Sequence, residues 1–142
     1  MREKTLKLLG LMRRANAISI GETNTAAAVQ SGKTRLLLLA ADASDNARKR
    51  ASSFAAGRSF PIVELPFTKE EVSAHVGVGG CSMAAVTDMG FADALMRLLA
   101  AQWPEAYGVA AEETAARYER MKRRRRGAND SSKRIGKRRT DV

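Results

Sequence analysis

The sequence predicts an α/β fold, a three-layer α-β-α sandwich around a small mixed sheet, followed by a basic C-terminal tail. Three observations predict it. Short apolar runs (AISIG, RLLLLAA, PIVEL, MAAVTD) alternate with amphipathic segments, and strands separated by crossover helices favour a largely parallel or mixed sheet between two helical layers. The 142 residues are 44% hydrophobic, enough for one core. Charge is segregated: residues 117–142 hold twelve Lys or Arg and three Asp or Glu, a net of +9. Residues 1–116 hold thirteen against twelve, a net of +1.

The first helix lies in LKLLGLMRRA. Leu6, Leu9 and Met12 recur at helical spacing, Leu8 and Leu11 widen the apolar arc, and Lys4, Lys7, Arg13 and Arg14 surround it. AISIG reads as a short strand. After Gly21, Thr23 or Asn24 can cap a helix that runs through Ala26, Ala27, Ala28 and Val29 until Gly32 stops it. RLLLLAA is a continuous apolar run and reads as a strand buried on both faces. Ser44 caps the next helix, whose Ala47, Ala51, Phe54 and Ala55 share a face and whose end is marked by Gly57. PIVEL is the third strand. Thr68 and Glu71 have capping-box spacing, each side chain satisfying an orphan backbone N–H, and the short helix they start ends before Gly77. MAAVTD is another buried strand, and Phe91, Leu95, Leu98 and Leu99 define the helix after it.

Trp103 and Pro104 break that helix. The expected division is a folded domain over 1–102 and a basic extension over 103–142, part helical and part disordered. EETAARYERMKRRRR has good helix formers and the i,i+4 pairs Glu113–Arg117 and Glu119–Arg123, which predict a solvated helix. Beyond Gly127 the chain is polar and charge-rich and is expected to be disordered when free.

Net charge of +10 and a pI near 10.5 point to a polyanionic partner, because clustered Lys and Arg displace condensed counterions from phosphates. The single cysteine, Cys81, can form no internal disulfide and shares no zinc site with a second thiol, which suits a reducing compartment, the cytoplasm by default. The N-terminus is too interrupted by charge for a signal peptide, and no segment has the length of a membrane span.

Gly32-Lys33-Thr34 ends like a nucleotide-binding P-loop, but the context is inverted. A P-loop follows a strand and opens a helix, whereas this tripeptide follows a helix and precedes a strand, with Ala27 where the first glycine belongs. It reads as a helix end and a basic connection. His75 has no cysteine or second histidine nearby, so no metal site is expected. Cys81 lacks a base partner, and Asp42, Asp45, Asp88 and Asp93 read as loop and cap residues. The residues predict no enzyme and no metal site.

The segments LLGLMRRANAISIGETNTAAAVQSGKTRLLLLAADAS, FPIVELPFTKEEVSAHVG and MAAVTDMGFADALMRLL, in that order, resemble the kink-turn RNA-binding ribosomal-protein superfamily, of archaeal/eukaryotic large-subunit ribosomal and snoRNP core type, and in particular its bacterial YlxQ-like branch. The similarity covers roughly residues 4–100. The resemblance implies a three-layer sandwich that binds a sharply bent RNA internal loop with tandem sheared G·A pairs, without catalysis or cofactor.

By resemblance, one edge of the sandwich meets RNA. Gly21 matches the signature glycine, where a missing side chain lets backbone approach phosphate. Glu22 suits the bacterial branch, and Thr23 and Asn24 fall where Asn and Glu often read the sheared bases. Asn24 can still pair with a purine edge. Ala27 and Ser31 stand where basic residues are common, and Lys33 follows in the basic connection. Ser44 and Arg48 lie one turn apart on a helix, and Lys69 aligns with a backbone-contacting lysine. The loop GVGGCS, Gly77 to Ser82, with Gly79, Gly80 and Cys81, matches the lip over a flipped-out nucleotide. In the tail, Arg123, Arg124, Arg125 and Arg126 would add sequence-blind phosphate contacts.

The expected protein is a cytoplasmic, monomeric RNA binder associated with ribosomal RNA, the ribosome or another structured RNA. The alternative is a protein-interaction adaptor on the same fold, with nucleic acid bound only by the tail.

Overall fold

The computed structural model describes residues 2–140, with side chains described for residues 2–127. The elements are α1 (Arg2–Arg14), β1 (Ile18–Ile20), α2 (Glu22–Gln30), β2 (Leu36–Leu39), α3 (Asp45–Ala55), β3 (Ile62–Glu64), α4 (Lys69–Val76), β4 (Met83–Val86), α5 (Met89–Gln102) and α6 (Pro104–Thr140). The sheet order is β1-β4-β2-β3; β4 is antiparallel to both neighbours, and β2 runs parallel to β3. This is the mixed sheet that the alternating segments predict.

Side chains alternate across a strand, and the two central strands show what that alternation builds. Leu36 and Leu38 of β2 and Ala84 and Val86 of β4 face Leu6, Leu9 and Met12 of α1, Val72 and Val76 of α4, and Leu95, Met96 and Leu99 of α5. Leu37, Leu39 and Met83 face the other way, onto Val29 of α2 and Ala47 and Ala51 of α3. The sheet therefore lies between a layer of α1, α4 and α5 and a layer of α2 and α3. Both central strands are buried along their length, as their unbroken apolar sequence requires. β3 is an edge strand with only Val63 buried.

Local capping mostly follows the sequence. The Ser44 hydroxyl accepts from Ala47 N at 3.1 Å, and Thr68 and Glu71 form the reciprocal capping box. The start of α2 differs: its cap is Gly21, with no side-chain capping bond, and neither Thr23 nor Asn24 takes that role. Gly21 N donates to Met83 O at 2.9 Å, so the sheet fixes where the helix begins.

The helix expected over EETAARYERMKRRRR lies within α6, whose preceding turns pack on the body. Trp103, Tyr107, Ala110 and Ala111 pack on the α1/α4/α5 core, and Thr114 is fully buried with its hydroxyl donating to Ala110 O at 2.7 Å. The Tyr107 hydroxyl donates to Glu64 O at 2.6 Å, and its ring meets Trp103 edge-on at 6.3 Å. Small residues let α6 lie close on α5, so no long apolar stripe marks the contact in the sequence. α6 continues past Gly127 to Thr140; one interior glycine costs a helix only about 1 kcal/mol. The disorder expected beyond Gly127 concerns residues whose side chains lie outside the described ones.

Candidate nucleic-acid interface

β1 and β2 end, and β4 begins, at the same end of the sheet, and this end carries most of the candidate residues. Ala40 N donates to Ser82 O at 3.0 Å, and Gly21 N pairs with Met83 O. The loop entering α2 and the loop Gly77 to Ser82 are thereby held side by side. Gly21 adopts φ 94° and ψ 162°, a region open essentially to glycine alone. A Cβ there would stand 3.8 Å from Gly80 O.

Between these loops lies a concavity of about 420 Å³ lined by Arg13, Asn16, Ile18, Ser19, Ile20, Asn24, Val78 and Gly79. Asn24 is exposed, and its Nδ2 donates to Ile20 O at 2.8 Å. That bond fixes the carboxamide while leaving its oxygen and second N–H available. With Gly21 as cap, the first N–H groups of α2 have no side-chain acceptor, a geometry that favours anions. Glu22 would oppose one, but its carboxylate is paired with Arg50 of α3. Thr23 is exposed beside Asn24.

The remaining residues at this end are less free. Arg48 reaches Glu64 Oε1 at 2.5 Å and Ala41 O at 3.3 Å, and the Glu64 carboxylate holds its guanidinium above the ordinary value. The Ser44 hydroxyl is occupied as a cap. Lys69 is exposed, its backbone N–H donating to Asp42 Oδ1 at 2.8 Å. Cys81 is buried and its thiol donates to Val78 O at 3.2 Å, so its side chain stabilises the loop from within. Gly79 and Gly80 are exposed and Ser82 half-buried.

Ser31 and Lys33 sit elsewhere. Both are exposed beyond the C-terminus of α2, Ser31 roughly 15 Å from Gly21 by helical rise. Arg35 N donates to Val86 O at the far end of β4 at 2.7 Å, which places this connection at the opposite end of the sheet. Arg123, Arg124, Arg125 and Arg126 are exposed on α6, and Arg124 lines a cavity with Thr34 and Arg35 at that same far end.

Sequence reasoning missed Arg13, Asn16 and Ser19. Arg13 is exposed in the last turn of α1, and Asn16 takes a positive φ of 57° in the turn before β1. A turn asparagine after a helix was the available signal.

Sandwich, sheet order and paired-loop tip define a small α/β sandwich protein with a concave loop edge. No protein-family model matches the chain. It is 30% identical over 98 residues to the RNA-binding protein YlxQ of Enterococcus faecium, covering 69% of this chain and 93% of that one. With the RNA-binding protein YlxQ of Bacillus subtilis (strain 168) it shares 32% identity over 96 residues, covering 65% and 91%. Among solved structures, a protein of unknown function from Bacillus halodurans C superposes with a TM-score of 0.61 at 28% identity, covering 67% of this chain and 95% of that one. The 15.5kD RNA binding protein of Giardia lamblia superposes with a TM-score of 0.54 at 19% identity over 65% and 78%, a likeness of fold. The chain belongs to the family of the YlxQ RNA-binding proteins.

Proposed function

We propose that this chain is a non-enzymatic RNA-binding protein that recognises a bent, kink-turn-like RNA, as a monomer, in association with ribosomal RNA or another structured RNA in the cytoplasm. The observation that supports the reading best is the tip itself. Gly21 stands against Gly80, and Asn24 and Gly79 line one concavity. A bent RNA presents phosphates and exposed base edges close together, and this edge offers bare backbone, unsatisfied helix N–H groups and one fixed carboxamide. Backbone groups position a nucleic acid and the carboxamide discriminates among bases. The names of the YlxQ relatives support RNA as the ligand. Residues 1–102 carry the tip in this reading, and residues 103–142 add the cationic field.

Titration of the full chain with a kink-turn RNA and with a straight duplex of equal length and charge tests this. Tighter binding of the bent RNA is expected at every salt concentration. Equal affinity for both would remove the shape-recognition reading and favour the adaptor alternative.

A further inference from the structure

The inner face of α6 changes character along its length. Tyr107, Ala110, Ala111 and Thr114 are packed or buried. One to three turns further on, the positions following that face are Arg117, Arg120, Met121 and Arg124, and there the helix passes the end of the sheet remote from Gly21. These side chains close a cavity of about 260 Å³ with Thr34 and Arg35. Among the described residues, four arginines and no Asp or Glu line it.

Such a cluster is self-repelling and needs a counter-charge. The protein's own carboxylates do not supply one: among the described residues, none of these four arginines takes part in an ion pair. Thr34 is only 7% exposed, and its hydroxyl has no hydrogen-bond partner among the described residues; the same holds for Nε of Arg35. Buried polar atoms are ordinarily paired. Two unpaired ones lining a cationic cavity point to an acceptor arriving from outside.

We infer that Thr34, Arg35, Arg117, Arg120 and Arg124 form a second phosphate-binding site, which takes the sugar-phosphate backbone of RNA at the end of the body opposite the Gly21 tip. The inference rests on RNA being the ligand. The guanidinium fork matches two phosphate oxygens at once, and the Thr34 hydroxyl adds one donor. A neighbouring cavity shares Thr34, Arg35, Ser59 and Phe60 and adds Gly32 and Arg58. Two linked cavities with a row of cations make a track, which suits successive phosphates of a chain better than one small anion.

The test uses the full chain, a kink-turn RNA with duplex arms and a straight duplex, titrated at several salt concentrations. Arg35→Gln with Arg117→Gln, and separately Arg120→Gln with Arg124→Gln on exposed positions, should each weaken binding of both RNAs. Each pair should flatten the salt slope by about two, roughly 0.9 per lost contact. The preference for the bent RNA should stay unchanged. Thr34→Val should weaken binding about fivefold, one hydrogen bond's worth, with no change in slope. Thermal melting monitors the fold of every variant.

Wild-type slope and affinity in both arginine pairs would overturn the site. An equal loss from Lys4→Gln with Lys7→Gln, exposed on α1 and outside the cavity, would also overturn it, because a diffuse field would then suffice. If inorganic phosphate stabilised the wild type but not the Arg35/Arg117 variant while RNA affinity was equal in the two, the RNA assignment would fall. Loss of affinity in these variants from a wild type without kink-turn preference would sink the tip reading and leave this site standing. A wild type that bound no RNA would end both.

Discussion

A Cβ on Gly21 would lie 3.8 Å from the carbonyl oxygen of Gly80, so the two loops of the tip touch without clashing. What excludes a side chain at Gly21 is therefore its own backbone, at φ 94° and ψ 162°. Gly21→Ala should cost about 1–3 kcal/mol in strain, or else the loop should relax and misplace the start of α2. Denaturant unfolding and RNA titration on one variant separate these outcomes. Unchanged stability together with unchanged affinity would remove Gly21 from the argument.

Asn24 is bonded to Ile20 O through Nδ2, which orients its free atoms toward the concavity it lines. Asn24→Ala should lower the preference for bent over straight RNA by about 1–3 kcal/mol, the range for a well-made base contact. Affinity for the straight duplex should hardly move. Deleting residues 128–142, which carry five Lys or Arg and two Asp, should do the opposite and weaken both RNAs alike. Competition binding with the two RNAs checks both, and interchanged effects would reverse the roles assigned to tip and tail.

The fold was legible where its causes are local. Ser44, Thr68 and Glu71 cap helices through side chains three residues away, and the run of leucines in β2 announces a strand covered on both faces. The start of α2 was not local. Capping preferences favour Thr23 or Asn24, but the pairing of Gly21 with Met83 across the sheet sets the boundary. The docking of α6 was hidden because Ala110, Ala111 and Thr114 become core residues only when another helix covers them. The candidate site divides in the same way. The glycines of the tip show in the sequence, whereas the meeting of Arg35 with Arg117 depends on the path of α6 past the sheet.

Gly10 in α1 approaches the backbone of α4 so closely that a Cβ would lie 2.7 Å from His75 O. Neither atom is the end of a flexible side chain, so the helices would have to separate. Alanine improves helix propensity by about 1 kcal/mol over glycine, but overpacking a close contact costs about 1–3 kcal/mol, and the clash should win. Gly10→Ala should lower the melting temperature by several degrees. An unchanged or raised value would mean that α1 and α4 can move apart freely.

His75 Nε2 lies 3.0 Å from Glu3 Oε1 and Nδ1 lies 3.1 Å from Glu71 O. Both partners are acceptors, so the arrangement is complete only when both ring nitrogens carry protons. The Glu3 contact first, and then the Glu71 carbonyl, raise His75 above its usual 6.5, while His75 lowers Glu3 below its usual 4.5. A raised histidine stabilises fully below its unfolded value and less as pH climbs through its folded one; a lowered carboxylate stabilises above its unfolded value and less as pH falls through its folded one. The pair thus contributes most between roughly pH 4.5 and 6.5. The unfolding midpoint of wild type should exceed that of His75→Gln by more at about pH 5.5 than at about pH 8.5. The difference should be small, as for other exposed pairs, and a gap that widened with rising pH would contradict the assignment.

Tyr107 ties α6 to the edge strand through one bond, its hydroxyl to Glu64 O at 2.6 Å, while its ring sits edge-on to Trp103. Tyr107→Phe keeps the ring and removes the donor, which should cost about 0.5–1.5 kcal/mol. Because the Arg117 to Arg124 stretch depends on where α6 runs, loosening its base should also weaken RNA binding by the far-end cavity. Hydrogen exchange along α6 measures the first effect, and the salt slope of RNA binding measures the second. Faster exchange between residues 107 and 118 together with a shallower slope is expected. Unaltered exchange would mean that the Tyr107 bond contributes nothing to holding α6, and that Thr114 and the alanine face are sufficient.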